Sequence, residues 1–239
     1  MRSVIRGLVC GLGLWLGAAA AGAVVLGASD TFEDGGANGW ASGPVNPSQP
    51  GNVATGGPAG AGDNYLLTMS NGSGNIGGSL VVIAGPQWAG NYAAAGVGAI
   101  TMDLNNLGAS DLSLRLVLFG SSSDTAISSS AVVIPAGSGW VQASFSLDPT
   151  QLTGSAAQSV PGTLAAVSGL RLFHGTQAVF PGETIAAQLG MDNVATVPEP
   201  ASTVLLACGL FALAWRKRHA FRLSFPSLPL RLWPPVLAS

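Results

Sequence analysis

Charged side chains are scarce in this chain of 239 residues, of which they make up only 8%, against about 25% in an average soluble domain. Coiled coils, charge-rich disordered segments and nucleic-acid-binding proteins all need abundant charge, so the composition excludes these classes. Cysteine is nearly absent, because Cys10 and Cys208 are the only two and both lie in apolar segments near the ends. The part between them therefore has no disulfide and must be held by its core, or by its core and a metal ion.

Lysine is missing from residues 24–197, where Arg115 and Arg171 are the only basic residues. Ten acidic side chains in the same segment leave it with a net charge of −8, whereas basic residues near the two ends bring the whole chain to −2. The central segment is therefore strongly acidic, which disfavours binding to phosphate backbones or to anionic lipid surfaces.

The N-terminus has the organisation of a secretory signal peptide. Two arginines precede an apolar run and then a group of small residues, all within residues 1–28. Ala21-Gly22-Ala23 fits the small-x-small cleavage pattern and predicts Val24 as the first mature residue. Leu26-Gly27-Ala28 is a second candidate with a larger outer residue. The sequence therefore predicts export, with 1–28 as the signal segment, and the alternative is that this segment is a retained membrane anchor.

The other end carries a short apolar segment between a proline motif and a basic cluster. Residues 201–215 contain no charge and would form a helix of about 22 Å, against a hydrocarbon core of about 30 Å. The basic side chains that follow can extend towards the membrane surface, and their excess predicts that the tail faces the cytoplasm. We therefore expect a short transmembrane helix at 201–215, with the preceding domain on the outer side.

This order of proline motif, apolar helix and basic residues resembles the PEP-CTERM sorting signal of Gram-negative bacteria. The resemblance covers residues 197–218, and its matching positions are Val197, Pro198, Glu199, Pro200, Arg216, Lys217 and Arg218. It implies recognition by an exosortase, a transient anchor in the inner membrane, cleavage near the proline motif, and transfer to the cell surface or the extracellular matrix. The family is associated with bacteria that make exopolysaccharide and biofilm. Residues 219–239 extend past the usual end of the motif and are either a cytoplasmic appendage or a frame-shifted read-through.

The central segment has the sequence signature of short β-strands. Alternation is clearest in Leu112–Phe119 and Trp140–Leu147, and clusters of Gly, Ser, Asn and Pro separate the runs. The other expected strands are Asp30–Glu33, Tyr65–Met69, Leu80–Ile83, Val97–Leu104, Ala126–Ile134, Leu170–His174 and Ile185–Val194. Short strands without a helical pattern predict an all-β fold over 29–196, a two-sheet antiparallel jelly-roll sandwich, with residues 41–63 as an ordered loop. The signal helix and the transmembrane helix would flank this sandwich.

Both ends of the expected sandwich resemble galactose-binding-domain-like folds, a group that includes carbohydrate-binding modules. The segments that carry this resemblance are Asp30–Trp40 and Leu189–Val194. In that group the first and last strands lie side by side, and carboxylates at their ends commonly hold a structural calcium ion. The residues in matching positions are Asp30, Glu33, Asp34 and Asp192. The alternative is that Asp34 forms a turn before two glycines and that Asp192 lies at a bulge or strand end.

Aromatic side chains are the candidate ligand-binding residues. Stacking on a sugar ring needs a flat exposed ring flanked by polar groups, and Trp88 and Tyr92 lie in a stretch that contains Gly and Asn. Trp40 and Trp140 are further candidates, and for each ring the alternative is packing in the core. Trp140 and Phe145 lie on opposite faces of one predicted strand, so at most one of them faces the core. The sequence predicts Trp88 and Tyr92 as an exposed ligand-binding pair.

Catalytic patterns are weak in the central segment. His174 is its only histidine, and no Gly-x-Ser-x-Gly elbow or local pair of carboxylates suggests hydrolysis. We therefore expect no enzymatic activity. A serine triad would be possible only if His174 contacted both a serine and a carboxylate. The sequence favours an exported β-sandwich that binds or associates with exopolysaccharide. The alternative is a passive structural or adhesive matrix protein without a specific ligand.

Overall fold

The computed structural model of the protein describes residues 23–120, 124–155 and 159–198. Most of the predicted signal segment, the predicted transmembrane segment 201–215 and the tail 219–239 lie outside these residues. Within the described ranges, no helix combines the length and the apolar character that crossing a bilayer requires.

Twelve strands and two short α-helices make up the regular structure of the described residues. The strands are β1 (Ser29–Asp30), β2 (Gly51–Val53), β3 (Tyr65–Asn71), β4 (Val81–Ile83), β5 (Ala99–Asn106), β6 (Leu112–Phe119), β7 (Thr125–Ser128), β8 (Val132–Ile134), β9 (Trp140–Ser146), β10 (Leu152–Gly154), β11 (Gly169–His174) and β12 (Ala186–Val197). The helices are α1 (Tyr92–Ala95) and α2 (Val160–Ala165). Single 3₁₀ turns occur at Pro86–Trp88 and Pro149–Gln151.

The strands form two antiparallel sheets. Sheet A has the order β2-β3-β12-β5-β9, with β1 paired to β12, and sheet B has the order β10-β7-β6-β11-β4, with β8 paired to β6. The first and last strands lie side by side, with Ser29 opposite Ala195. The predicted all-β, two-sheet antiparallel jelly-roll sandwich is confirmed.

Alternation along the strands directs the apolar side chains between the two sheets. In β6, four leucines at every second position are fully buried: Leu112, Leu114, Leu116 and Leu118. Ile100, Met102 and Leu104 of β5 belong to the same core. Full burial of such a side chain contributes about 1.5–3 kcal/mol, so these rows supply much of the energy that holds the sheets together. The intervening residues of β6, among them Arg115 and Phe119, lie on the outer face of sheet B.

Several elements differ from the sequence-based expectation. Residues 41–63, predicted as a loop, contain the edge strand β2, and β10 is a second edge strand without a predicted counterpart. Each has three residues, too few for an alternating pattern to be recognised. The run predicted over 126–134 is divided into β7 and β8 by a bend at Ser129 and Ser130. The two helices lack a predicted counterpart because four and six residues are too short to show helical periodicity.

Candidate functional site

The prediction that Trp88 and Tyr92 form an exposed pair is wrong, because the fold buries both rings. Trp88 is 1% exposed, and Tyr92 is fully buried. Trp88 ends a 3₁₀ turn and Tyr92 begins α1, so two short helical turns direct the rings inward. The Tyr92 hydroxyl donates to the carbonyl oxygen of Trp88 at 2.7 Å, and burial raises the pKa of Tyr92 above its usual range. Neither ring is accessible for stacking on a sugar.

Asp30, one of the four predicted calcium ligands, accepts hydrogen bonds from two buried tryptophans. Its Oδ2 accepts the indole N–H groups of Trp40 and Trp88, each at 2.7 Å. The side-chain amide of Gln87 donates to the same oxygen at 3.2 Å. Because Asp30 is only 8% exposed, these donors replace the water that its carboxylate loses on folding. These hydrogen bonds link β1 to the segment that precedes α1.

The remaining predicted calcium ligands differ in their surroundings. Asp34 is exposed, and its Oδ1 accepts the backbone N–H of Gly36 at 2.8 Å, the turn geometry that was the alternative interpretation. Glu33 is also exposed and accepts the backbone N–H of Asn64 at 3.0 Å. In the described ranges no three His, Cys, Asp or Glu side chains are grouped as metal ligands would be. The four predicted residues therefore do not converge as one set.

Asp192 is a buried carboxylate with one unpartnered oxygen. It is 1% exposed, and its Oδ1 accepts the backbone N–H of Asn193 at 2.7 Å, whereas its Oδ2 has no hydrogen-bond partner. A β-bulge follows it in β12, as one of the two sequence interpretations expected. Burial raises the pKa of this carboxyl to about 6, and the negative charges of Asp63, Glu33 and Asp103 add to the effect. Asp192 thus lies in a negatively charged environment.

Trp140 is the partly exposed member of the four aromatic residues considered from the sequence. It lies on the outer face of sheet A, and its ring meets that of Tyr65 edge to face, with centroids 5.2 Å apart. Gly190 of β12 lies beneath both rings, because a Cβ there would approach Trp140 to 3.0 Å. The indole N–H donates to the carbonyl of Gly56 at 2.9 Å, which attaches the loop before β3 to the sheet. Phe145, on the other face of β9, is buried, so the two residues do face opposite sides.

The outer face of sheet B is partly covered by the loop 175–184, which makes up most of the connection between β11 and β12. Phe180 of this loop packs edge to face against Phe119 and Phe173, with both centroid distances at 5.4 Å. Arg115 is 6% exposed and fixes the base of the loop through hydrogen bonds of 2.7–2.9 Å to four backbone carbonyls. Those carbonyls belong to Ser128, Ser129, Gly175 and Thr176. The loop is therefore a fixed wall on this face.

A cleft of about 380 Å³ lies open on the same outer face, and we call it the Arg171 cleft. Its lining residues are Ile83, Ala84, Phe119, Gly120, Ser168, Gly169 and Arg171. The guanidinium carbon of Arg171 lies 4.5 Å from the ring centroid of Phe119 and 5.3 Å from that of Phe180. The hydroxyl of Ser168 donates to the carbonyl of Gly120 at 2.8 Å and stays exposed. The cleft thus combines apolar surface, a cation and a hydroxyl group.

Phe119 and Arg171 are not among the site residues predicted from the sequence. The alternation in β6 and the run of apolar residues in β11 place both side chains outward, and that was the available signal. An outward-facing ring and an outward-facing arginine can be recognised as parts of one site only when their strands are known to be neighbours. The β6–β11 register provides this, since Gly169 lies opposite Phe119 and Arg171 opposite Val117.

His174 does not form the contacts that a serine triad requires. It is 6% exposed at the end of β11, and its Nδ1 accepts the backbone N–H of Ser113 at 3.1 Å. Within the part of the chain that the structure describes, its ring has no hydrogen bond to a serine hydroxyl or to a carboxylate. Burial lowers the pKa of His174, and the charge of Glu183 partly offsets this. The imidazole therefore acts here as a packed strand-end acceptor.

The fold and the cleft define a β-sandwich with an open concavity on the outer face of one sheet, and the C-terminal residues carry a second signal. Residues 196–218 match the PEP-CTERM protein-sorting motif, which confirms the resemblance seen over 197–218. This motif indicates an exported protein that an exosortase processes. Among its residues, Thr196 and Val197 close β12, and Pro198 follows in an exposed position.

Solved structures with a similar fold include carbohydrate-binding modules. A family 11 carbohydrate-binding module of a cellulosomal cellulase from Clostridium thermocellum is 10% identical, with a TM-score of 0.47, over 74% of this chain and 96% of that chain. A family 28 module specific for non-crystalline cellulose is 14% identical, with a TM-score of 0.45, over 73% of this chain and 97% of that one. An exo-beta-agarase is 13% identical with a TM-score of 0.49, and the match covers 71% of this chain but only 25% of that one. No curated protein matches the sequence.

Proposed function

We propose that this exported protein binds exopolysaccharide, and that the sugar occupies the Arg171 cleft. Binding sites for small ligands and sugars combine a concave apolar lining with a few convergent polar groups. In this cleft, Ile83 and Phe119 supply apolar surface for the C–H face of a sugar ring. Arg171 and Ser168 supply donors and acceptors for its hydroxyl groups. The coexistence of these groups in one open cavity is the observation that carries the proposal.

The ordered packing beside the cleft adds support. Phe180 is held against Phe119 by the packing of its ring, and Arg115 attaches the same loop to the sheet through backbone carbonyls. A binding surface that is already ordered loses less conformational entropy when a ligand arrives. The cleft is therefore suited to binding a saccharide without rearrangement of the loop.

The position of the sorting motif is consistent with an extracellular role. Strand β12 ends at Val197, and the residues Pro198, Glu199 and Pro200 follow directly. Cleavage within this motif would leave every described strand in the released part of the protein. We propose that the chain is held transiently in the inner membrane by 201–215 and then passes to the cell surface or the matrix, where polysaccharide is present.

The test is binding of the full-length chain, kept soluble with a neutral detergent, to a glycan array and to matrix polysaccharide. We expect measurable binding that weakens at least tenfold in Phe119→Ala, because the substitution removes the apolar surface of the cleft. Met69→Ala, an exposed residue on sheet A, is the matched control and should bind like the unchanged chain. Circular dichroism would show whether Phe119→Ala keeps the fold. Absence of binding to every glycan and to the matrix would favour the alternative, a passive structural protein.

We also propose a structural calcium ion at Asp192 and Glu33, with Asp63 and Asp103 as the neighbouring acids. The support is the unpartnered Oδ2 of Asp192, a buried oxygen that a cation would satisfy. Calcium takes six to eight oxygen ligands and accepts backbone carbonyls and water beside carboxylates, so two carboxylates from this group suffice. The other two predicted ligands, Asp30 and Asp34, bond elsewhere, whereas the charges of Asp63 and Asp103, like that of Glu33, raise the pKa of Asp192.

Thermal unfolding of the full-length chain in calcium and in EDTA tests this site. At a calcium concentration of about 100 Kd, binding adds about 2.7 kcal/mol, which corresponds to a rise in Tm of roughly 5–10 °C. We expect Asp192→Asn to lose the rise, and Asp34→Asn, an exposed carboxylate outside the group, to keep it. An unchanged Tm of the native chain in the two buffers would exclude a stabilising calcium ion.

A further inference from the structure

The two arginines of the sandwich have opposite environments. Arg115 is 6% exposed, each of its three guanidinium nitrogens donates to a backbone carbonyl, and Glu183 adds a favourable negative charge. Its role is to hold the loop 175–184. Four of its five N–H donors are therefore bonded to backbone carbonyls, and its guanidinium is held in the fold.

Arg171 instead borders the open cleft with its donors unused. Its guanidinium packs against the rings of Phe119 and Phe180, and in the described ranges no oxygen atom accepts a hydrogen bond from it. Burial lowers the pKa of Arg171, and no acidic partner offsets that effect as Glu183 does for Arg115. The group thus carries a desolvation cost that no charge within the described sandwich compensates.

We propose that the saccharide of the Arg171 cleft is anionic, and that its carboxylate or sulfate group pairs with the Arg171 guanidinium. This inference rests on the proposed function and specifies its ligand class. A planar guanidinium held by aromatic rings presents its N–H edge in a fixed direction, and this geometry suits two parallel hydrogen bonds to a carboxylate or sulfate. A neutral sugar would leave most of those donors without a charged partner.

The net charge of −8 in residues 24–197 shapes this selectivity. A polyanion is repelled by the acidic surface at long range, but that repulsion is screened beyond about 8 Å at physiological ionic strength. Attraction at the cleft acts at hydrogen-bond distance and is screened much less. Anionic saccharides should therefore bind only where an acidic group reaches Arg171. We expect binding at this one site and no general adhesion of the polymer to the acidic surface of the protein.

The experiment compares matched acidic and neutral polymers on the full-length chain. Polygalacturonate is paired with its carboxyl-reduced form, and dextran sulfate is paired with dextran, so the two arms distinguish carboxylate from sulfate. A charge-assisted pair to a guanidinium is worth about tenfold to a hundredfold in affinity. We expect the acidic member of at least one pair to bind that much more tightly than its neutral partner, and Arg171→Gln to reduce the ratio to within about twofold of one.

Two further variants keep the result interpretable. Arg171→Lys retains the charge and the aliphatic stem but not the planar fork, so we expect it to keep only part of the preference. Met69→Ala should keep all of it. Equal binding of acidic and neutral forms, with both weakened by Phe119→Ala, would overturn the anionic ligand while the sugar-binding function stands. Absence of binding to all four polymers and to matrix polysaccharide would overturn both.

Discussion

Removal of the Asp30 carboxylate should destabilise the sandwich strongly. The change Asp30→Ala leaves the indole N–H groups of Trp40 and Trp88 without an acceptor in a buried site, since the two residues are 3% and 1% exposed. Each unsatisfied buried donor costs about 1–3 kcal/mol, so the two together cost roughly 2–6 kcal/mol. For a chain of this size, 1 kcal/mol lowers Tm by about 2–4 °C, and we expect a fall on the order of 10 °C.

Asp30→Asn should have about half this effect. The amide keeps one acceptor oxygen but loses the negative charge, and hydrogen bonds to a charged acceptor are roughly twice as strong as neutral ones. Asp34→Ala is the control, because this exposed carboxylate accepts only short-range hydrogen bonds, from the backbone N–H of Gly36 and the side-chain amide of Asn38. Its loss should lower Tm by no more than about 3 °C. The expected order of Tm is therefore native, Asp34→Ala, Asp30→Asn, Asp30→Ala.

Differential scanning calorimetry of the full-length variants, with calcium and with EDTA, provides the measurement. If Asp30 acts through the two indoles, its substitution lowers Tm by the same amount in both buffers. If Asp30 were a calcium ligand, the loss would appear only in calcium. A Tm of Asp30→Ala within about 1 °C of the native value would refute the reasoning from the buried donors.

Three further outcomes follow from the structure. Burial lowers the pKa of His174 despite the opposing charge of Glu183, so the native state binds this proton less readily than the unfolded chain. The free energy of unfolding should therefore fall as the pH drops below about 6.5. Subtracting the same pH series measured on His174→Gln isolates this contribution. Gly182 has φ +78°, and a Cβ there would clash with a backbone carbonyl, so Gly182→Ala should lower the free energy of unfolding in urea by at least about 2 kcal/mol. Gly137 has φ +64° and open space around it, so Gly137→Ala should lower it by only about 1 kcal/mol. Val24 is 4% exposed and packs in the core, so signal cleavage just before it keeps this packing. N-terminal sequencing of the exported protein should therefore begin at Val24. A protein that begins five residues later would contradict this prediction.

The strands that could be predicted are those whose pattern is local. Leu112–Phe119 alternates over its whole length, and its predicted bounds equal those of β6. The edge strands β2 and β10 have three residues each and owe their conformation to pairing with β3 and β7, which lie elsewhere in the chain. A short strand of this kind is stabilised by its partner, so its own residues carry little signal.

The candidate site was harder to predict than the fold because exposure depends on distant residues. The polar neighbours of Trp88 suggested an exposed ring, yet its indole N–H is bonded to Asp30, 58 positions earlier in the chain. Conversely, Phe119 and Arg171 have no shared motif and meet only through the β6–β11 register. A pattern read along the chain does not contain such pairings.

Local patterns in the sequence are sufficient to identify an exported protein and to assign its fold class. The sorting motif and the alternating strands act through local order along the chain, so both are visible in one dimension. The tertiary structure shows which aromatic rings are buried, which carboxylate has an unpartnered oxygen, and which of the two arginines is bonded to backbone carbonyls. Those properties depend on burial and on distances between residues far apart in sequence. Residues 24–197 contain only two arginines, and the fold gives them different positions. Arg115 holds a loop through backbone carbonyls, whereas Arg171 lies beside an open cleft.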